Sequence, residues 1–124
     1  MDDCNYQTGR RPEYKSRMER QIGDFLDSRR IQYIYEKPIA VVDRGLTKLW
    51  HPDFALQCGL LIEYFGVTGD PGYIASARHK LRVYQENQFD VIPLYPPDMV
   101  PQWRSNLVRR LEAVLERRLQ DIRR

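Results

Sequence analysis

Asp53 and Glu63 are the residues whose setting calls for chemistry. Asp53 stands in His51-Pro52-Asp53-Phe54, and Glu63 follows ten residues later in Leu60-Leu61-Ile62-Glu63-Tyr64-Phe65-Gly66. Leu60 to Phe65 reads as a buried strand. A carboxylate inside such a strand costs on the order of several kcal/mol in desolvation unless a cation meets it. Gln57-Cys58-Gly59 reads as a three-residue hairpin loop with glycine at the left-handed position. Pairing Leu56 with Leu60 and counting outward sets Ala55 against Leu61, Phe54 against Ile62, and Asp53 against Glu63. Directly opposed residues have Cβ atoms roughly 4.5–5.5 Å apart. Two carboxylates there either repel each other or share one hard divalent cation, Mg²⁺ or Mn²⁺. The plainer alternative is a surface Pro-Asp turn and an unrelated strand glutamate.

The elements around the pair follow from periodicity. Met18, Ile22, Phe25 and Leu26 make one stripe of an amphipathic helix over about 13–29. Ser16 and Glu19 have the spacing of a capping box. Ile31 to Glu36 reads as a strand, Pro38 interrupts it, and Ile39 to Val42 continues it as a bent or edge strand. Asp43-Arg44-Gly45 is a turn. Leu49 to Leu56 and Leu60 to Phe65 form the hairpin. After a loop rich in Gly, Asp and Pro, Tyr73 to Asn87 is a second helix, with Tyr73, Ala77, Leu81 and Tyr84 along one side. Lys80 lies on that side too. Phe89 to Tyr95 is a last strand. Asp98 is placed to cap a final helix, with Pro101 in its first turn. That helix carries Leu107, Leu111, Val114, Leu115, Leu119 and Ile122. The expected order is α-β-β-β-α-β-α: an α/β fold with a mixed central sheet flanked by helices. The strand–helix–strand step implies a parallel crossover.

Composition narrows the class. The chain has 124 residues, enough for one domain with a modest core. No apolar run approaches the length of a membrane span, and Met1-Asp2-Asp3-Cys4-Asn5 lacks the features of a signal peptide. Cys4 and Cys58 make neither a CxxC pair nor zinc spacing, which points to a reducing cytoplasm. The net charge of +3 is mildly basic. Its distribution says more: residues 101–124 carry seven arginines against three acids. Glu36, Asp53 and Glu63 meanwhile fall on or near the expected sheet. A basic surface around an acidic centre suits a protein that attracts a polyanion. His51 and His79 are lone histidines, read as structural or exposed, and no Ser-His-Asp set or Gly-rich phosphate loop competes.

In order and in residues, the chain resembles the PD-(D/E)XK nuclease superfamily, which has the restriction-endonuclease-like fold. It is most similar to short modules of the very-short-patch-repair type and to those appended to DNA helicases. The matching pieces are Ser16 to Leu26, Tyr33 to Glu36, Pro52-Asp53-Phe54, Ile62-Glu63-Tyr64-Phe65-Gly66, Gly69-Asp70-Pro71-Gly72-Tyr73, Arg78 to Tyr84 and Val91 to Pro96. The resemblance implies a metal-dependent DNA endonuclease with its core at 13–100. Residues 1–12 precede that core as a flexible segment. The basic helix at 101–124 packs on the core or forms a homodimer interface. By the resemblance, Asp53 and Glu63 ligate the metal directly and the Tyr64 carbonyl adds a ligand. Glu19, or Glu36 in its place, acts through water or positions the ion. One departure stands out: the superfamily's lysine normally sits two residues after the second acid, where this chain has Phe65. Lys80 then takes its role, with Arg78 or Arg82 as substitutes. Without such a cation, the chain would be an inactive nuclease fold serving as a DNA-binding or assembly subunit.

Overall fold

The computed structural model describes residues 11–123. Most of the expected leading segment 1–12, Cys4 and Arg124 lie outside the described residues. Helix α1 spans Arg17–Ser28. Ser16 caps it, its hydroxyl accepting from the Glu19 amide at 3.1 Å. A residue pair at capping-box spacing thus starts the helix four residues later than the apolar stripe alone indicates.

Five strands, not three, separate α1 from the next helix: β1 (Tyr33–Tyr35), β2 (Ile39–Asp43), β3 (Leu46–Trp50), β4 (Phe54–Leu56) and β5 (Leu61–Tyr64). Local backbone chemistry explains the difference. Glu36 sits at φ +56°, so the chain leaves β1 there, just before Pro38. Arg44 and Gly45 both have positive φ, the conformation of a tight two-residue hairpin turn. Ile39 to Val42 therefore does not extend β1. It pairs with β3 as a separate antiparallel hairpin, Ile39 opposite Trp50 and Asp43 opposite Leu46. Pro52, with no amide to donate, divides the expected strand at 49–56 into β3 and β4.

Helix α2 (Pro71–Glu86) follows, capped by Asp70, and leads to β6 (Val91–Leu94). The main sheet has the order β1-β4-β5-β6. β1–β4 and β4–β5 are antiparallel, and β5–β6 is parallel. The fold is a mixed α/β sheet with three helices, as expected at that level. A 3₁₀ turn over Pro96–Asp98 precedes α3 (Trp103–Arg123). Asp98 is not the cap of α3: its carboxylate accepts the Tyr95 amide at 2.9 Å and closes the 3₁₀ turn instead.

The period-two alternation of the strands divides the core. Phe54, Leu56, Leu60, Ile62, Ile92 and Leu94 pack against α1 and α3. Ala55 and Leu61 face the other way, onto Val83 and Tyr84 of α2 and Val41 of the hairpin. Each fully buried side chain of this kind contributes about 1.5–3 kcal/mol. From α3 only Trp103, Leu107 and Leu111 are buried, whereas Leu115, Leu119 and Ile122 are exposed. The helix thus packs on its own core through its first half. Arg118 pins it by pairing with Asp90 and donating to the Cys58 carbonyl. Among the described residues, no helix is long and apolar enough to cross a membrane.

Candidate functional site

The β4–β5 register matches the one expected: Phe54 opposes Ile62 and Ala55 opposes Leu61. The Leu56 amide bonds the Leu60 carbonyl at 2.8 Å, and Gly59 turns the loop at φ +85°. One step outward, Asp53 and Glu63 lie together on the face of Ala55 and Leu61, toward α2. Each acid also accepts a hydrogen bond from the other's strand. The Asp53 amide donates to Glu63 Oε1 at 2.7 Å, and the Tyr64 amide donates to Asp53 Oδ2 at 2.7 Å. Glu63 is only 2% exposed.

Lys80 comes to this pair from α2, its Nζ 2.9 Å from Glu63 Oε2. The same ammonium lies 5.9 Å from the centre of the Phe65 ring. Phe65 thus does not supply a cation two residues after the acid, but its ring lies under the one supplied by the helix. The charges are out of balance. Burial, then the Glu63 charge, push the Asp53 carboxyl well above its ordinary range. Burial also raises Glu63, against the opposing pull of Lys80.

Tyr84 lies one helical turn beyond Lys80, so its ring shares that face of α2. Its hydroxyl is fully buried and has no hydrogen-bond partner among the described residues. Burial, and then the charges of Glu63 and Asp53, hold its proton on. Sequence periodicity places Tyr84 in the core, where it is. The orphaned hydroxyl has no sequence signal.

The other expected residues divide. Glu19 is buried, and its oxygens are engaged by the Ser16 and Tyr35 hydroxyls. Its charge still raises both Asp53 and Glu63, so it stands near them. Glu36 is brought close only by its backbone, its amide bonding the Asp53 carbonyl at 3.1 Å. Its carboxylate pairs with Lys15 at 2.6 Å.

Comparison with family models, with curated proteins and with solved structures finds no match to this chain. The site therefore stands on its own chemistry. Among the described residues, no group of three or more His, Cys, Asp or Glu converges as a ready-made metal cage. The donor set still suits one class of ion. Two hard carboxylates face one lysine, and burial raises both of them, so an added cation would favour their ionised form. A hard divalent cation that keeps several waters, as Mg²⁺ does, fits such a partial oxygen set.

A second polar cluster lies on the hairpin side, and sequence reading missed it. Asp43, 4% exposed, accepts from Lys48 Nζ and pairs with His79 Nε2, each at 2.9 Å. His79, followed directly by Lys80 on α2, is therefore tied to the hairpin rather than lone. The available signal was the alternation of β2, which turns Asp43 inward with Val41. The hydrogen bond to His79, followed by that to Lys48, lowers the Asp43 carboxyl.

Proposed function

We propose that the protein is a Mg²⁺- or Mn²⁺-dependent DNA endonuclease with a restriction-endonuclease-like fold. The observation that carries this reading is the meeting of Asp53, Glu63 and Lys80 on one face of a mixed sheet, with Glu63 buried, Asp53 half-buried and a single lysine opposing them. The α1–antiparallel strands–parallel crossover arrangement supports the fold assignment, and the basic charge of α3 suits a polyanionic substrate.

Asp53 and Glu63 would hold the cation, with the Tyr64 carbonyl as a further ligand and Glu19 positioning Asp53 electrostatically. The bound cation would lower the pKa of water and polarise a phosphoryl oxygen. Lys80 does two jobs from one position. In the free protein it favours the ionised form of Glu63. At the phosphate it offers a positive charge where negative charge develops in the transition state. Glu36, held by Lys15, is not needed in this arrangement.

The test is digestion of supercoiled plasmid, single-stranded DNA and branched DNA with Mg²⁺ or Mn²⁺. Cleavage is expected to stop with EDTA and in Asp53→Ala. Hydrolysis that survives either one overturns the proposal. The buried, aromatic Phe65 favours a second reading, an inactive nuclease fold that only binds DNA. Under it, wild type binds DNA with steep salt dependence and cuts nothing. Cleavage abolished by Lys80→Ala excludes it.

A further inference from the structure

Phe65 and Tyr95 leave the carboxyl ends of the adjacent parallel strands β5 and β6, and their rings stack with centroids 5.5 Å apart. Open α/β sheets bind ligands beyond the carboxyl ends of their strands. Here Tyr95 borders a cavity of about 520 Å³. Tyr95, Asp98, Val100, Trp103, Asn106 and Arg110 line it. The volume is in the range of small-molecule sites.

The lining selects a ligand class. Its walls are aromatic and aliphatic, and its polar side-chain groups are the Asn106 amide, the Asp98 carboxylate, the Arg110 guanidinium, the Tyr95 hydroxyl and the Trp103 indole N–H. Asp98 is already committed to the Tyr95 amide, and its negative charge disfavours a phosphate inside. Arg110 differs from its neighbours on α3. Arg104 lies over the Trp103 ring, Arg109 bonds Asn106, and Arg117 and Arg118 pair with Asp90. Among the described residues, Arg110 makes no hydrogen bond or ion pair. A flat, uncharged heteroaromatic ring with donors and acceptors on its edge fits this set, and its attached phosphate would lie outside, toward the basic helix.

We propose that this cavity is a subsite for one unpaired nucleobase of the bound DNA, with Tyr95 as its stacking surface and Arg110 as its polar contact. The inference rests on the DNA-binding reading of the acidic site and adds the form of DNA preferred. Lys80, Phe65 and Tyr95 run in sequence from Glu63 to the cavity, so an extrahelical base held there sets a neighbouring phosphate beside the acids. Stacking on an aromatic side chain is sequence-tolerant, so the subsite recognises the unpaired state rather than a particular base.

The experiment compares two labelled duplexes by fluorescence anisotropy, with Ca²⁺ replacing Mg²⁺ to prevent cleavage. One is fully paired, and the other carries a single extrahelical 2-aminopurine. Wild type is expected to bind the second about tenfold more tightly and to quench its fluorescence. Arg110→Ala and Tyr95→Leu should lose the preference and the quenching while still binding the paired duplex. Tyr95→Phe should keep both. Equal affinity of wild type for the two duplexes, or a preference that survives both disruptive variants, overturns the subsite alone. Failure of wild type to bind either duplex overturns the DNA reading, and the subsite falls with it.

Discussion

Lys80 Nζ lies 2.9 Å from Glu63 Oε2, joining helix α2 to a strand residue 17 positions earlier in the chain. Glu63 is nearly inaccessible to water, whereas the lysine side chain is 38% exposed. Lys80→Ala would leave a buried carboxylate with only the Asp53 amide to stabilise it. Solvent screening at the lysine end keeps the loss below that of a fully buried pair, at about 1–3 kcal/mol near neutral pH. Urea unfolding of Lys80→Ala checks this. The double variant Lys80→Ala/Glu63→Gln should recover part of the loss, because the orphaned charge is gone. No recovery would mean that Lys80 acts through packing alone.

The acid pair also sets a pH dependence whose direction runs against the usual one for carboxylates. Asp53 and Glu63 are both raised, chiefly by burial. Below about pH 4, near their ordinary values, they are protonated in both states and place no burden on the fold. As pH rises from there, the unfolded chain ionises first and the folded state holds more protons. Stability therefore falls as pH climbs toward their raised values. Asp53→Asn should flatten this decline, as should added Mn²⁺ in the wild type. Chemical denaturation at pH 5, 6.5 and 8 measures it. A wild-type slope matching that of Asp53→Asn would show that the pair is not coupled to folding.

Legibility in the sequence depended on how local each signal was. The β4–β5 register could be counted because a three-residue loop fixes it, and the apolar run around Glu63 fixes which way the acid points. Lys80 could be placed because helix periodicity sets its side. The β2–β3 hairpin was hidden because Ile39 to Val42 pairs with a segment that reads as the start of the following strand. Pro52 was the overlooked punctuation. Asp43 with His79 spans 36 residues and depends on the hairpin folding over α2, a tertiary contact with no local pattern. Glu36 shows a similar non-local effect: its backbone meets Asp53, but its carboxylate pairs with Lys15.

Two polar contacts hold that hairpin to α2. One is the Asp43 cluster. The other is Asn87, which accepts from the Val42 amide at 2.9 Å and donates to the Val42 carbonyl at 3.0 Å. Asn87→Ala removes both bonds at a part-exposed position and should destabilise the hairpin by about 1–2 kcal/mol. Asp43 is lowered by its partners, so its contribution is present above its ordinary carboxylate value and is lost as pH falls through the lowered one. Hydrogen exchange over residues 39–50 reads both effects. Faster exchange confined to that segment in Asn87→Ala is expected, while unchanged exchange would show that the Asp43 cluster and the packing of Val41 and Trp50 dock the hairpin without Asn87.

Tyr84→Phe is expected to behave unlike most core substitutions. The Tyr84 ring packs edge-on against Trp50 and Phe89, with centroids 5.4 and 6.3 Å away, and phenylalanine preserves those contacts. What it removes is a fully buried hydroxyl without a partner, a group whose burial costs about 1–3 kcal/mol when unsatisfied. The metal-free variant should therefore match or exceed the wild type in stability, by up to about 1 kcal/mol. The cation-loaded protein should respond in the opposite sense. If the hydroxyl helps to fix water beside Asp53 and Glu63, Mn²⁺ binds the variant more weakly. The rise in Tm at a fixed Mn²⁺ concentration then shrinks, since that rise reports affinity for the folded state. Thermal unfolding with and without Mn²⁺ separates the two effects. Loss of metal-free stability by more than about 1 kcal/mol would show that the hydroxyl is satisfied in solution. An unchanged Mn²⁺ shift would remove Tyr84 from the site and leave it as a core residue.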